Sequence, residues 1–244
     1  VNSYNRNGNS SIALSDGAGS YQNSELGAEK ITKNITKNFS TNFSKIIKRS
    51  NLEIKKRVIA EINRTLKALE DYHHLPRKEF SCTLLFIATN GKRYIAGHIG
   101  DGLIGGTQKK TTKIISEPEN FDFANVTSFI TSNDLSKRTR IYKGRMNDYD
   151  SFVLMSDGSM ESLFDKKKKI LSKSLIQINS WANHYPLNIL NQALKENMEK
   201  FIWTKTHDDC SLIFLFTIRN THQQLRFRSS EFVQEFLKTK NNIS

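Results

Sequence analysis

The sequence contains few of the residues that define several classes of protein. It has 2 cysteines, 3 prolines and 12 glycines among 244 residues. The two cysteines, Cys82 and Cys210, cannot form the disulfide framework of a small secreted domain. The low proline and glycine content excludes a collagen-like or low-complexity chain. The longest apolar run, around Leu212–Ile218, is too short to span a bilayer, and no signal peptide or lipid-attachment motif is visible. We therefore expect a cytoplasmic protein without a membrane partner.

Acidic residues are scarce relative to basic ones. The chain has 37 Lys and Arg against 24 Asp and Glu, a formal net charge of +13. This charge favours anionic partners, such as a phosphorylated substrate, an acidic protein or nucleic acid, without choosing among them. Five of the nine residues in Lys137–Arg145 are basic and none is acidic, so this segment is expected to guide a phosphorylated or acidic substrate. A nucleic-acid surface would interleave several aromatic residues, and only Tyr142 is present, so nucleic acid is not expected.

The hydrophobic pattern predicts an α+β fold. Apolar residues at helical spacing predict two long helices, one including Ala28–Phe39 and one including Val58–Leu69. Asn90-Gly91 lies between two apolar stretches and predicts a hairpin of Ser81–Thr89 with Lys92–Ile99. Because hairpins dominate, the sheets are expected to be antiparallel. Further strands are predicted at Ser11–Ser15, Leu103–Gly106, Thr111–Ile115, Thr127–Thr131, Arg138–Tyr142, Ser151–Ser156 and Ser211–Ile218, and further helices at Lys173–Ala182, Leu187–Ile202 and Ser230–Leu237.

Four aspartates lie where predicted strands begin or end. Asp16, Asp101 and Asp157 each follow an apolar strand and precede a glycine, and Asp208 precedes the last strand. Carboxylates at strand ends can converge on one rim, and oxygen ligands suit Mg²⁺ or Mn²⁺. Asp-Gly is also ordinary turn chemistry, in which Asp stabilises the turn and Gly takes a positive φ. Periodicity alone therefore leaves both interpretations open.

Short motifs in a fixed order carry a resemblance to a known family. They are SDGAGS (15–20), SELGA (24–28), GHIGDG (97–102), FANVTSFIT (123–131), FVLMSDG (152–158) and DDCSLIFL (208–215). From about Ser11 to Ile218 the chain resembles the metal-dependent protein phosphatases, the type 2C serine/threonine phosphatases, most closely their bacterial branch. The resemblance implies a four-layer α-β-β-α sandwich with two mainly antiparallel sheets flanked by helical pairs. It also implies a phosphatase-like domain over residues 1–219, followed by a basic tail at 220–244.

The resemblance also implies a site. Asp16 matches the aspartate that bridges two Mn²⁺ or Mg²⁺ ions, and Gly17 matches a glycine that offers its carbonyl. Asp157 and Asp208 match carboxylate ligands of the first ion, and Asp101 matches a ligand of a weaker third ion seen in many members. Through a metal-activated water, Asp16, Asp157 and Asp208 would support hydrolysis of phosphoserine and phosphothreonine in a phosphorylated protein substrate.

Two departures from the family pattern leave an alternative open. The family has a further acidic ligand one strand before Asp16, and residues 1–15 contain no Asp, Glu or His. The register places that acid at or just before Val1–Ser3, so either the chain was cut there, with its first strand lost, or the second metal site is degenerate. Ala18 stands where many eukaryotic members have a histidine, which we interpret as a mark of the bacterial branch. The alternative is a catalytically silent module that binds a phosphoprotein or an acidic partner. His98, inside a strand, is expected to be structural.

Overall fold

Two antiparallel sheets form the centre of the molecule. The computed structural model describes residues 1–118, 127–202, 206 and 208–216. The first sheet has the order β1-β2-β3-β4-β7 and the second the order β11-β8-β5-β6. The strands of the first sheet are β1 (Asn2–Arg6), β2 (Asn9–Leu14), β3 (Leu84–Thr89), β4 (Arg93–Ile99) and β7 (Arg140–Arg145). Those of the second are β5 (Leu103–Gln108), β6 (Thr111–Ser116), β8 (Ser151–Met155) and β11 (Leu212–Phe216), and β9 (Phe164–Asp165) pairs with β10 (Ile170–Leu171) separately.

Helices cover the outer face of each sheet. The long helices α1 (Ser24–Ile46) and α2 (Asn51–His73) pack on the first sheet, and α5 (Ser174–His184) and α6 (Leu187–Asn197) pack on the second. Short helices are α3 (Leu135–Arg138) and α4 (Asp157–Leu163), and a π-helical turn, Met198–Ile202, extends α6. The order of layers is therefore α-β-β-α, as the resemblance implied.

Three apolar layers hold these elements together. Along β3, Leu84 and Phe86 face the layer under α1 and α2, whereas Leu85 and Ile87 face the layer between the sheets. Successive strand residues point to opposite faces, so a strand that is apolar at every position is buried on both sides. Phe152 of β8 completes the layer between the sheets, and the third layer lies between the second sheet and its helices.

Helix α2 begins with a complete capping box. The Ser50 side chain accepts from the Glu53 backbone N–H, and the Glu53 carboxylate accepts from the Ser50 backbone N–H. This arrangement satisfies two backbone donors that a helix start otherwise leaves unpaired. In the described residues, no helix is both long enough and apolar enough to cross a membrane.

The structure corrects the predicted start of the chain. β1 and β2 form a hairpin whose turn is Asn7-Gly8, with φ of 50° and 74°. Positive φ at both positions is what a two-residue Asn-Gly hairpin turn requires. The predicted strand Ser11–Ser15 is therefore the second strand of a hairpin, and it begins two residues earlier, at Asn9, and ends at Leu14. The two additional residues, Asn9 and Ser10, are polar and partly exposed.

Two later strand predictions also differ from the structure. The prediction of a strand at Thr127–Thr131 is wrong, because this segment is a loop. It buries Ile130, whose backbone N–H donates to the Cys82 carbonyl at 2.9 Å. The strand predicted at Arg138–Tyr142 begins at Arg140, after the short α3, and continues to Arg145. The two long helices are confirmed, and both extend several residues beyond the predicted ranges at each end. The Asn90-Gly91 hairpin is confirmed with its first strand beginning at Leu84 rather than Ser81, and the strand predicted at Ser151–Ser156 ends one residue earlier, at Met155. The predicted helix at Ser230–Leu237 and the tail at 220–244 lie outside the described residues.

Candidate metal centre

Asp16 lies just beyond the end of β2, where the chain continues to pair with the segment before β3. The Asp16 backbone N–H donates to the Thr83 hydroxyl at 2.9 Å, and the Thr83 N–H donates to the Asp16 carbonyl at 2.9 Å. Gly17 forms an isolated bridge with Cys82. The bonds that close this bridge use backbone groups of Asp16 and Ala18, so the Gly17 carbonyl takes no part in them. The fold therefore fixes the Asp16 backbone and leaves the Gly17 carbonyl available as a ligand.

Asp101 follows β4 in a tight turn. Gly100 has φ of 112°, a backbone conformation that a residue with a Cβ rarely adopts. The Thr127 hydroxyl donates to Asp101 Oδ2 at 2.6 Å and orients the carboxylate. The carbonyl of Gly100 accepts from His98 Nε2 at 3.0 Å and from Arg140 Nη2 at 3.4 Å. The turn that carries Asp101 is thus held from the strands on either side of it.

Asp157 and Asp208 come from neighbouring strands of the second sheet. Asp157 opens α4 directly after β8, and its carboxylate accepts from the Gly158 N–H at 2.8 Å. The segment with Asp208 precedes β11, which pairs with β8. The Ser156 hydroxyl joins the two segments, because it donates to the Asp209 carbonyl at 3.1 Å and accepts from the Ser211 N–H at 2.9 Å.

A cavity of about 800 Å³ opens at this end of the sandwich. Asp16, Gly17 and Asp208 line it, together with residues from the start of α1. Asp101 and Asp157 are not among the lining residues, although their charges act on Asp16. The lining also includes Val1 and Asn2 at the start of β1, close to where the resemblance predicted a further acidic ligand. Neither residue carries a carboxylate, and the Asn2 amide oxygen accepts from the Thr36 hydroxyl at 3.0 Å.

The electrostatics show that the carboxylates form one cluster. Burial, together with the negative charges of Asp157, Asp101, Asp209 and Asp208, raises the pKa of Asp16 to about 7. Burial and the charge of Asp101 also raise the pKa of Asp157. Such shifts arise when carboxylates are partly desolvated and face one another without a neutralising cation.

The donor set fits a hard divalent cation in its chemistry. Carboxylates at strand ends, a free backbone carbonyl and a raised aspartate pKa match a group of oxygen ligands that repel one another unless positive charge lies between them. Across residues 1–118, 127–202, 206 and 208–216, however, no three His, Cys, Asp or Glu side chains lie close enough together to hold one ion. We call the aspartates Asp16, Asp101, Asp157, Asp208 and Asp209 the rim. Binding of a cation would therefore require the side chains of the rim to move towards one another.

His98 has the structural role that its position suggested. It is 1% exposed, and its Nδ1 atom lies 2.7 Å from the Ser116 hydroxyl. Burial and the positive charge of Arg140 hold the pKa of His98 well below its ordinary value, so the ring is neutral. It supports the turn before Asp101 rather than facing the cavity.

One acidic residue of the cluster was missed by the sequence reasoning. Asp209 lines the cavity, and its charge raises the pKa of Asp16 more than that of Asp208 does. The Asp208-Asp209 doublet was visible in the sequence, but the resemblance assigned only its first member. Glu25, in the first turn of α1, also lines the cavity.

The comparisons with known proteins agree with this architecture. A family model described as Protein phosphatase 2C matches residues 3–199. The match covers well over half of the sequence, and the chain therefore belongs to the protein phosphatase 2C family. No curated protein matches it significantly.

Solved structures of bacterial phosphatases share the fold at low sequence identity. The serine/threonine phosphatase of S. agalactiae has a TM-score of 0.61 and 16% identity, over 89% of this chain and 91% of that chain. Serine/threonine phosphatase Stp1 of Staphylococcus aureus has a TM-score of 0.59 and 15% identity, over 89% and 87%. The catalytic domain of serine/threonine protein phosphatase PstP, in complex with two manganese ions, has a TM-score of 0.58 and 12% identity, over 89% and 91%.

Proposed function

We propose that this chain hydrolyses phosphoserine and phosphothreonine in proteins, with Mn²⁺ or Mg²⁺ bound at the rim that carries Asp16. Membership of the protein phosphatase 2C family supports a protein phosphatase. The observation that carries the metal dependence is the pKa of Asp16, raised to about 7 by burial and by four neighbouring aspartates. Bound cations would neutralise the repulsion among these carboxylates. A purely structural turn would gain nothing from placing the carboxylates close together.

The residues of the chain have distinct tasks in this proposal. Asp16 and the Gly17 carbonyl would hold cations from the first sheet, and Asp157 and Asp208 would hold them from the second. Asp101, oriented by Thr127, would contribute a weaker additional site. Bound cations of this class lower the pKa of water and neutralise the oxygens of a phosphoryl group. The cavity of about 800 Å³ is large enough for a phosphorylated side chain, which could reach Asp16, Gly17 and Asp208 in its lining.

The test is hydrolysis of p-nitrophenyl phosphate and of a phosphothreonine peptide during a Mn²⁺ titration. We expect turnover that rises with Mn²⁺ and falls by a factor of at least about 1,000 in Asp157→Ala, because a ligand of this site contributes several kcal/mol to the reaction. Asp71→Ala is the matched control, since Asp71 is an exposed aspartate on α2 that pairs with Lys67 at 2.7 Å. Retained turnover in Asp157→Ala would contradict the proposal.

A second candidate function is binding of a phosphoprotein or acidic partner without turnover. The observation that favours it is that Val1 and Asn2, at the start of β1, supply no carboxylate to the cavity that Asp16 lines. Calorimetry with Mn²⁺ separates the two candidates. Two or more sites with turnover support the enzyme, whereas no Mn²⁺ binding together with binding of a phosphopeptide supports the silent module. The same titration on the variant Asn2→Asp tests whether the lack of a carboxylate at position 2 limits Mn²⁺ binding.

A further inference from the structure

A second concave surface lies between the start of α2 and the edge strand β7. Its volume is about 400 Å³, and we name it the α2–β7 groove. The lining residues come from α2, from the end of α3 and from β7. They are Asn51, Leu52, Lys55, Lys137, Thr139, Arg140, Ile141 and Tyr142. Three of these residues are basic and none is acidic.

The charges of the groove are not neutralised within the described residues. Lys55 Nζ donates to the Ser136 carbonyl at 3.0 Å, and Arg140 donates to the carbonyls of Glu117 and Gly100. Carbonyl groups orient these cations but carry no negative charge. Lys137 is exposed and takes part in no ion pair among the described residues. The Nε atom of Arg140 is buried without a hydrogen-bond partner there.

The acidic residues that flank the groove are engaged elsewhere. Glu53 lies 3.2 Å from Arg49, and Asp134 lies 2.7 Å from Arg138. The groove therefore presents a local excess of positive charge, and its lining includes one exposed apolar side chain, since Leu52 is 60% exposed. An extended segment with carboxylate side chains and some apolar ones would complement both features.

The groove is connected to the candidate metal centre through Arg140. The Arg140 guanidinium donates to the Gly100 carbonyl, and Gly100 directly precedes Asp101. At its outer edge, the Ile141 carbonyl accepts from the Asn51 side chain at 3.3 Å, so α2 and β7 are joined along the groove. A polypeptide segment in the groove would reach the rim at its Arg140 end.

We propose that the α2–β7 groove binds an acidic, Glu- and Asp-rich segment of a partner protein, next to the residue presented at the rim. That the partner is a phosphoprotein substrate rests on the proposed function. The binding itself does not, because the groove lies outside the cavity and shares none of its lining residues.

The direct test measures fluorescence anisotropy of a fluorescein-labelled, unphosphorylated peptide rich in Glu and Asp, at about 0.15 M salt. The groove variant is Lys55→Glu with Lys137→Glu. The matched control is Lys110→Glu with Lys167→Glu, two exposed lysines in the β5–β6 and β9–β10 turns, which changes the net charge equally. We expect the peptide to bind the wild-type chain and to bind the groove variant at least about tenfold more weakly, with less than about a twofold change in the control.

Three results would overturn the proposal. The first is no binding of the peptide to the wild-type chain, and the second is equal loss of affinity in the two variants. The third is tighter binding of a single-stranded oligonucleotide of the same net charge than of the peptide, with the oligonucleotide's affinity depending on the same two lysines. Lys55→Gln with Lys137→Gln repeats the test without introducing negative charge, and thermal unfolding of each variant checks that it folds.

A kinetic measurement links the groove to turnover. The readout is the ratio of kcat/KM for a phosphothreonine peptide with an acidic flank to that for one with a neutral flank. We expect this ratio to fall about tenfold in the groove variant and to stay constant in the control variant. If the chain has no turnover but binds the acidic peptide through Lys55 and Lys137, only the proposed function fails. If it has turnover but the ratio and the anisotropy are unchanged, only the groove proposal fails.

Discussion

Replacing Asp16 by asparagine in the metal-free protein should make the fold more stable at neutral pH. Burial and four neighbouring aspartates raise the pKa of Asp16 from 3.8 to about 7. A carboxyl whose pKa is raised by folding holds its proton more tightly in the folded state than in the unfolded state. The folded state therefore loses stability as the pH rises from about 4 to about 7, and the loss is complete above that range. Asparagine has nearly the same shape and no charge to desolvate, so Asp16→Asn removes this penalty.

The magnitude follows from the size of the shift. A difference of about three pH units corresponds to about 4 kcal/mol of unfolding free energy as an upper limit. Asp16 is half-buried, so solvent screens part of this interaction, and we expect about 1–2 kcal/mol. For a chain of this size, that change corresponds to an increase in Tm of about 2–8 °C.

The assay is urea unfolding of the wild-type chain and of Asp16→Asn in EDTA, at about pH 4 and about pH 8. The two proteins should differ little at the lower pH, and the variant should be more stable at the higher pH. Asp71→Asn, which changes an exposed aspartate on α2, should show no such dependence on pH. With Mn²⁺ present the order should reverse, because the variant lacks a ligand. Equal stability of the two proteins in EDTA at pH 8 would refute the reasoning about the carboxylate cluster.

Two further predictions test how the rim and the first helix pair are built. A Cβ at Gly158 would lie 2.8 Å from the Asp209 carbonyl oxygen and 3.2 Å from Asp208 Cβ, so Gly158→Ala should displace the segment before β11 and weaken Mn²⁺ affinity at least about tenfold by calorimetry. Gly19→Ala, where nothing lies within 4 Å of the new Cβ, is its control, and equal affinities would contradict the prediction. Ser50→Ala removes the capping box of α2 and should destabilise the chain by about 1 kcal/mol in thermal unfolding. The control Ser44→Ala, at an exposed serine in the last turn of α1, should be neutral.

Much of the fold could be predicted because its local signals agree with its packing. The two long helices have one apolar face, and Asn90-Gly91 joins two strongly apolar strands. The start of the chain was harder to predict, because β1 is an edge strand with mostly exposed, polar residues. Its only strong signal was the Asn7-Gly8 turn, which has the same chemistry as the turn at Asn90-Gly91.

The candidate site could be predicted as a set of residues but not as a geometry. Asp16, Asp101, Asp157 and Asp208 were visible as aspartates at strand ends, and the structure brings their charges together. Which of them line the cavity depends on how the two sheets pack, and neighbouring letters in a sequence do not carry that information. The same limit applies to Asp209, and to Arg140, whose contact with Gly100 joins β7 to the turn after β4.

The aspartates of the rim come from both sheets, so the apolar layer between the sheets affects the candidate site as well as the fold. Asp16 follows β2 of the first sheet, Asp157 and Asp208 adjoin β8 and β11 of the second, and Asp101 lies in the link from β4 to β5 that joins the two sheets. The thickness of the apolar layer that contains Phe152 sets the distance between the aspartate of the first sheet and those of the second. A substitution of one apolar residue for another in this layer can leave the fold intact and still change the distance between candidate metal ligands on the two sheets. Substitutions in this layer should therefore be judged by Mn²⁺ affinity as well as by stability.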